Sequence, residues 1–218
     1  MDIKLSGKGG DKRARDSRNA RGKSLIDRST GFLMSYKGWV FIAVSLFATG
    51  LVFGIMTAGS LSGMFGEQTD DMKRLAELFT TLPQPSLAVA IFLKNVSAVA
   101  VSFVLSPLLW LVPILALLLN GWLLGLVSVL VLQEKSMGFL LAGLLPHGII
   151  ELTGFFIAEA VALSFGTTVI LALFKKEKGG VRPAFRRSLK YLGIAFGLLL
   201  VAALIEAYIT PLALKLAA

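Results

Sequence analysis

The segment LLPHGIIELTGFFIAEA, residues 144–160, decides the fold class of this chain. Nearly all of it is apolar, yet it contains a proline, a histidine and two glutamates. Hydrophobic residues make up 56% of the 218 residues and the mean hydropathy is +0.78, whereas soluble domains contain about 45–50% apolar residues. Because the apolar runs are long enough to cross a hydrocarbon core of about 30 Å, the chain is predicted to be an integral membrane protein of α-helices.

The apolar segments around this stretch predict the number of membrane crossings. The predicted fold is all-α, a polytopic transmembrane helical bundle of about five spans within residues 37–214, and the helix with Pro146 is expected to be kinked. A six-span alternative would divide residues 138–174 and place a basic segment outside the cell, so it is disfavoured. The predicted spans are 38–58, 87–106, 110–132, 138–164 and 189–211.

The distribution of charge predicts how the spans are oriented. Residues 1–28 hold nine Lys or Arg against four Asp, and residues 175–190 hold seven Lys or Arg against Glu177 alone. Residues 59–86 instead hold four acidic and two basic side chains. Basic loops remain in the cytoplasm, so we expect a multi-pass protein of the cell membrane with a cytoplasmic N-terminus and an external C-terminus. The expected loops are a largely disordered basic arm at 1–36, an external loop at 59–86 that contains an amphipathic helix, and a basic cytoplasmic loop at 175–188.

Composition and motifs limit the chemistry that is expected. The basic arm and loop are predicted to contact anionic lipid headgroups, and nucleic acid is not expected because the arm lacks aromatic residues for base stacking. The chain has no cysteine and a single histidine. One histidine with glutamates on separate turns matches no standard ligand spacing, so neither a metal nor another cofactor is expected. No catalytic motif such as G-x-S-x-G, H-E-x-x-H or a P-loop occurs, which favours a non-enzymatic function.

Polar side chains inside the apolar spans form the candidate site. A charged side chain at the bilayer centre costs about 2.5–3.5 kcal/mol, so an intramembrane glutamate must be neutral, paired or directed into the bundle. His147 and Glu151 are four residues apart and share one helix face, while Glu159 is expected to meet another partner. Helix packing, proton relay or cation binding, and catalytic metal binding all remain open, in decreasing order of preference. The expected polar centre, structural or transport, comprises His147, Glu151, Glu159, Glu206, Asn95 and Asn120.

A second group of residues is predicted to shape helix packing. Pro146 should loosen the turn before it, and Gly148 should let a neighbouring helix approach closely. Gly121 and Gly125 have the GxxxG spacing of close helix crossings. We therefore expect a kink at Pro146 and close helix contacts at Gly148 and at the Gly121–Gly125 pair.

Four segments in this order resemble the stage II sporulation protein M family of integral membrane proteins. They are IFLKNVSAVAVSF at 91–103, LLLNGWLLG at 117–125, the opening stretch at 144–160 and LIEAYITP at 204–211. The resemblance covers most of the chain from about residue 38, and Pro-His-Gly-x-x-Glu is its most specific part. The family's pattern falls on Asn95, Asn120, Gly121, Pro146, His147, Gly148, Glu151 and Glu206.

The resemblance implies a membrane anchor or scaffold. The founding members hold a peptidoglycan-degrading complex during endospore engulfment, although similar proteins are widespread in organisms that do not sporulate. We therefore expect a scaffold for membrane or cell-envelope proteins, with homo-oligomerisation left open. The alternative is a small permease or transport subunit that uses the intramembrane Glu and His side chains, and an intramembrane enzyme acting on lipid is a third reading.

Overall fold

The computed structural model describes residues 36–61, 82–108, 110–175 and 180–217. Six helices and no strand occur in these ranges. The helices are α1 Tyr36–Leu61, α2 Gln84–Leu105, α3 Leu111–Glu134, α4 Met137–Lys175, α5 Val181–Tyr208 and α6 Thr210–Ala217. The predicted basic arm and the predicted amphipathic helix of the external loop lie outside the described residues.

Five of these helices, α1 to α5, are long and apolar enough to cross a membrane. Their number confirms the prediction of an all-α, multi-pass bundle. They are long because each contains an extended, mainly apolar run, and in lipid only a helix satisfies every backbone donor and acceptor within one segment.

The bounds of the last two long helices differ from those predicted for the spans. Helix α4 continues through Pro146 to Lys175, and its 39 residues extend about 58 Å, well beyond a hydrocarbon core. Helix α5 begins at Val181, inside the segment predicted as a basic loop at 175–188. Pro183 is compatible with this start because the first backbone donors of a helix have no intrahelical partner.

Helix α4 lies at the centre of the bundle. Its most apolar window is 44% buried inside the protein, against 22–33% for the other four spans. One hydrophobic cluster joins α4 to α2 and α5, around side chains such as Val99, Val161 and Leu199. A second cluster joins α4 to α1 and α3, around Phe47, Leu117 and Leu163. The polar side chains of α4 therefore have neighbouring helices on several sides.

Helices α1 and α3 cross with their backbones in contact. A Cβ atom at Gly121 would lie 2.1 Å from the Phe47 carbonyl oxygen, and one at Gly125 would lie 2.3 Å from the Leu51 carbonyl oxygen. The facing helix supplies Gly50 and Gly54, where a Cβ atom would lie 2.2 and 2.0 Å from carbonyl oxygens of α3. No side chain fits at any of the four positions, so two glycine pairs build this crossing.

Candidate functional site

The first half of α4 presents His147 and Glu151 on one face. Their closest side-chain atoms, Nε2 and Oε2, are 3.9 Å apart, and the two side chains are 13% and 29% exposed. This separation is too long for a hydrogen bond. The two side chains thus point toward each other without a direct hydrogen bond between them.

Two further helices contribute to the same site. From α2, the Asn95 side-chain amide donates a hydrogen bond of 3.0 Å to Oε1 of Glu151. From α5, the Glu206 carboxylate lies with His147 and Glu151 so that one ligand atom of each falls within 4.8 Å of the others. Asn95, His147, Glu151 and Glu206 are called the His147 cluster below.

The imidazole is oriented by a contact on its other nitrogen. His147 Nδ1 lies 3.1 Å from the Thr210 hydroxyl, in the first turn of α6. That hydroxyl also lies 3.5 Å from the Ile205 carbonyl oxygen. In the tautomer with its proton on Nδ1, the ring donates to Thr210 and leaves a lone pair on Nε2 directed toward Glu151.

A second polar contact joins α2 and α4, about two turns beyond the bond between Asn95 and Glu151. The Ser102 hydroxyl of α2 donates a hydrogen bond of 2.6 Å to Oε2 of Glu159 in α4. Both side chains are almost fully buried, at 1% exposure. Oε1 of Glu159 has no hydrogen-bond partner among the described residues. The predicted separate partner of Glu159 is thus Ser102.

These contacts lie within a region that matches a known protein family. The model of the stage II sporulation protein M family matches residues 43–211. The chain belongs to the stage II sporulation protein M family. An uncharacterized protein of Methanocaldococcus jannaschii is 26% identical over 174 residues, which cover 79% of this chain and 93% of that protein. No solved structure matches the chain.

Two residues predicted for the polar centre, Asn120 and Glu159, lie apart from the His147 cluster in this member of the sporulation protein M family. Asn120 is exposed, and its amide donates to the Ala116 carbonyl of its own helix at 2.7 Å. Glu159 lies two helical turns beyond Glu151. Asn120 thus makes a bond within its own helix, and no interhelical bond from it is present among the described residues.

The residues of α4 that were predicted to shape helix packing also differ in what they do. A Cβ atom at Gly148 would meet only the Leu144 side chain of its own helix, at 3.3 Å, so the expected close approach of another helix does not occur there. Pro146 lies inside α4, with helix on both sides of it. The close approach to α4 occurs at Gly166, where a Cβ atom would lie 2.6 Å from the Ser106 carbonyl oxygen.

Sequence reasoning missed two partners, Ser102 and Thr210. Ser102 follows Asn95 by seven residues, and Glu159 follows Glu151 by eight, so each pair recurs after two turns on one face. That parallel spacing is a signal that could have paired the two helices. Thr210 lies beyond α5, in a short helix whose packing no periodicity of the span predicts.

The His147 cluster can therefore bind a proton or a cation. Nε2 and two carboxylates are acceptors when unprotonated, and all three can serve as metal ligands. In this family member the intramembrane glutamates thus divide between the His147 cluster, with Glu151 and Glu206, and the buried Ser102–Glu159 pair.

Proposed function

We propose that this protein is a non-enzymatic scaffold or anchor that holds partner proteins at the cell membrane. It is a multi-pass member of the stage II sporulation protein M family. The partners would be membrane or cell-envelope proteins, and a role in sporulation is not required by the proposal.

The observation that carries this proposal is the bonding of the intramembrane polar groups across helices. Asn95 bonds to Glu151, Ser102 to Glu159, and His147 to Thr210. Each bond joins α4 to another helix, and such bonds contribute about 0.5–2 kcal/mol in lipid. Side chains used in this way stabilise a fixed arrangement of helices, which suits a surface that partners recognise.

The permease alternative requires polar groups that line a route through the bundle. The described residues offer no observation that favours it, since Glu159 is buried against Ser102 and Asn120 bonds within its own helix. We therefore propose the scaffold function alone.

Orientation and lipid contact belong to the same proposal. Arg182, Arg186 and Arg187 are exposed on the first turns of α5. With this end of α5 in the cytoplasm, their guanidinium groups would meet anionic headgroups of the inner leaflet, where each basic side chain near the surface contributes about 1 kcal/mol.

The decisive experiment combines gene deletion with reconstitution. Crosslinking in the source cells identifies an envelope protein next to the chain, and deletion is expected to mislocalise that protein by fluorescence microscopy. Complementation with the wild-type gene should restore its position, while purified protein in liposomes should leave ion and solute flux at the protein-free level. Solute movement by the purified protein alone, or correct partner localisation after deletion, would contradict the scaffold.

A further inference from the structure

The His147 cluster has the composition of a metal site. One imidazole nitrogen and two carboxylates, from α4 and α5, place their ligand atoms within 4.8 Å of one another. Around a tetrahedral ion with bonds of about 2.0–2.2 Å, two ligand atoms stand about 3.3–3.6 Å apart. The 3.9 Å between Nε2 of His147 and Oε2 of Glu151 needs only a small closure to reach this spacing.

The cluster also has more acceptors than donors. In the tautomer of His147 that donates from Nδ1 to Thr210, Nε2 offers a lone pair. Asn95 supplies its donor to Oε1 of Glu151, which leaves Oε2 facing Nε2. Three groups that can act as ligands converge on one space, and a cation between them would neutralise both carboxylates in a low-dielectric bundle.

The candidate ligands have hydrogen-bond partners of the kind found around bound metal ions in proteins. A ligating histidine commonly donates its second ring N–H to an oxygen, and a ligating carboxylate is itself hydrogen-bonded. Thr210 and Asn95 occupy these two positions. They would fix the directions of the imidazole and the carboxylate before the ion arrives.

Charge and position limit the kind of ion. Two carboxylates, those of Glu151 and Glu206, neutralise a divalent cation. Imidazole favours zinc and other first-row transition ions, whereas Mg²⁺ prefers oxygen ligands alone. Glu206 lies in the last turn of α5, which ends at Tyr208, so the ion would enter from that end of the bundle.

We propose that His147, Glu151 and Glu206 bind a divalent first-row transition cation, with Thr210 and Asn95 as positioning residues. The protein supplies three ligands, and water or a partner's side chain completes the coordination. This site is additional to the scaffold function, since a scaffold can fold and recruit partners with or without an ion.

The test measures metal content of the full-length protein. Detergent-purified protein is stripped with EDTA, incubated separately with Zn²⁺, Mn²⁺ or Mg²⁺, and desalted before elemental analysis. One equivalent of Zn²⁺ or Mn²⁺ per chain is expected, with a higher melting temperature in its presence. His147→Ala and Glu206→Gln should each lose the ion, while Thr210→Ala should weaken its affinity about 10–100-fold.

The matched control is Glu159→Gln, which alters a carboxyl group of the same helix outside the cluster. This variant should still bind one equivalent of the metal ion per chain. If a cluster variant fails to fold, Co²⁺ added to the wild type should give ligand-field absorption that Zn²⁺ abolishes. Folded wild type without bound Zn²⁺ or Mn²⁺ overturns the proposal, as does equal binding by His147→Ala. Uptake of Mg²⁺ alone, or a stability that depends on pH but on no metal, also overturns it.

Discussion

Two asparagines of the membrane helices show that a polar residue in a span need not make a contact between helices. Asn95 and Asn120 both interrupt apolar runs, and both have side-chain amides able to bridge helices. Asn95 donates to Glu151 across the bundle, whereas Asn120 donates to a carbonyl one turn back on its own exposed face. At the residue scale, the direction of each side chain decides its role.

This difference predicts unequal effects of the same substitution. Asn95→Ala removes the donor to a partly buried carboxylate and should lower the free energy of unfolding by about 0.5–2 kcal/mol. Asn120→Ala removes only a local bond on an exposed face and should change it by less than about 0.5 kcal/mol. Thermal unfolding of both variants in one detergent measures the difference, and equal losses would contradict the contact.

At the element scale, glycines determine how closely α1 and α3 pack. Gly121 and Gly125 of α3 face Gly50 and Gly54 of α1, and the two backbones touch at all four positions. The spacing of the α3 pair was evident in the sequence. The α1 pair has the same spacing, but GxxxG is common in membrane helices and identifies a contact only when the facing helix is known.

Alanine at this crossing should therefore destabilise the bundle. In Gly54→Ala the new Cβ would lie 2.0 Å from the Trp122 carbonyl oxygen, so the helices must separate. The expected cost is about 1–3 kcal/mol or more, seen as a lower melting temperature. Gly193→Ala and Gly197→Ala are matched controls within α5, because a Cβ atom there meets nothing within 4 Å. They should be neutral or stabilising, since alanine is the better helix former.

At the scale of the whole molecule, α4 organises the bundle. It contacts every other helix of the part of the chain that the structure describes, and it carries the polar face and the largest buried fraction of the spans. If all five long helices cross the membrane, the start of α1 and the end of α5 are predicted to lie on opposite sides of it. The charge asymmetry then predicts which end is cytoplasmic.

Single cysteines test this orientation directly, because the natural chain has none. Gln133→Cys, at the exposed end of α3, should react with a membrane-impermeant maleimide in intact cells. Gly180→Cys, before α5, should react only after permeabilisation, and its Cβ meets nothing within 4 Å. The cysteine-free wild type provides the background signal. The reverse pattern of labelling would invert the predicted topology.

The sequence by itself determined the membrane location, the five spans and the shared face of His147 and Glu151. These features follow from local composition and from the fixed turn of a helix. Only the tertiary structure decided that Glu151 meets Asn95, Glu159 meets Ser102 and His147 meets Thr210, across 56, 57 and 63 residues of chain. Those meetings depend on the rotation and crossing of whole helices, which apolar faces in lipid leave unspecified until the helices pack.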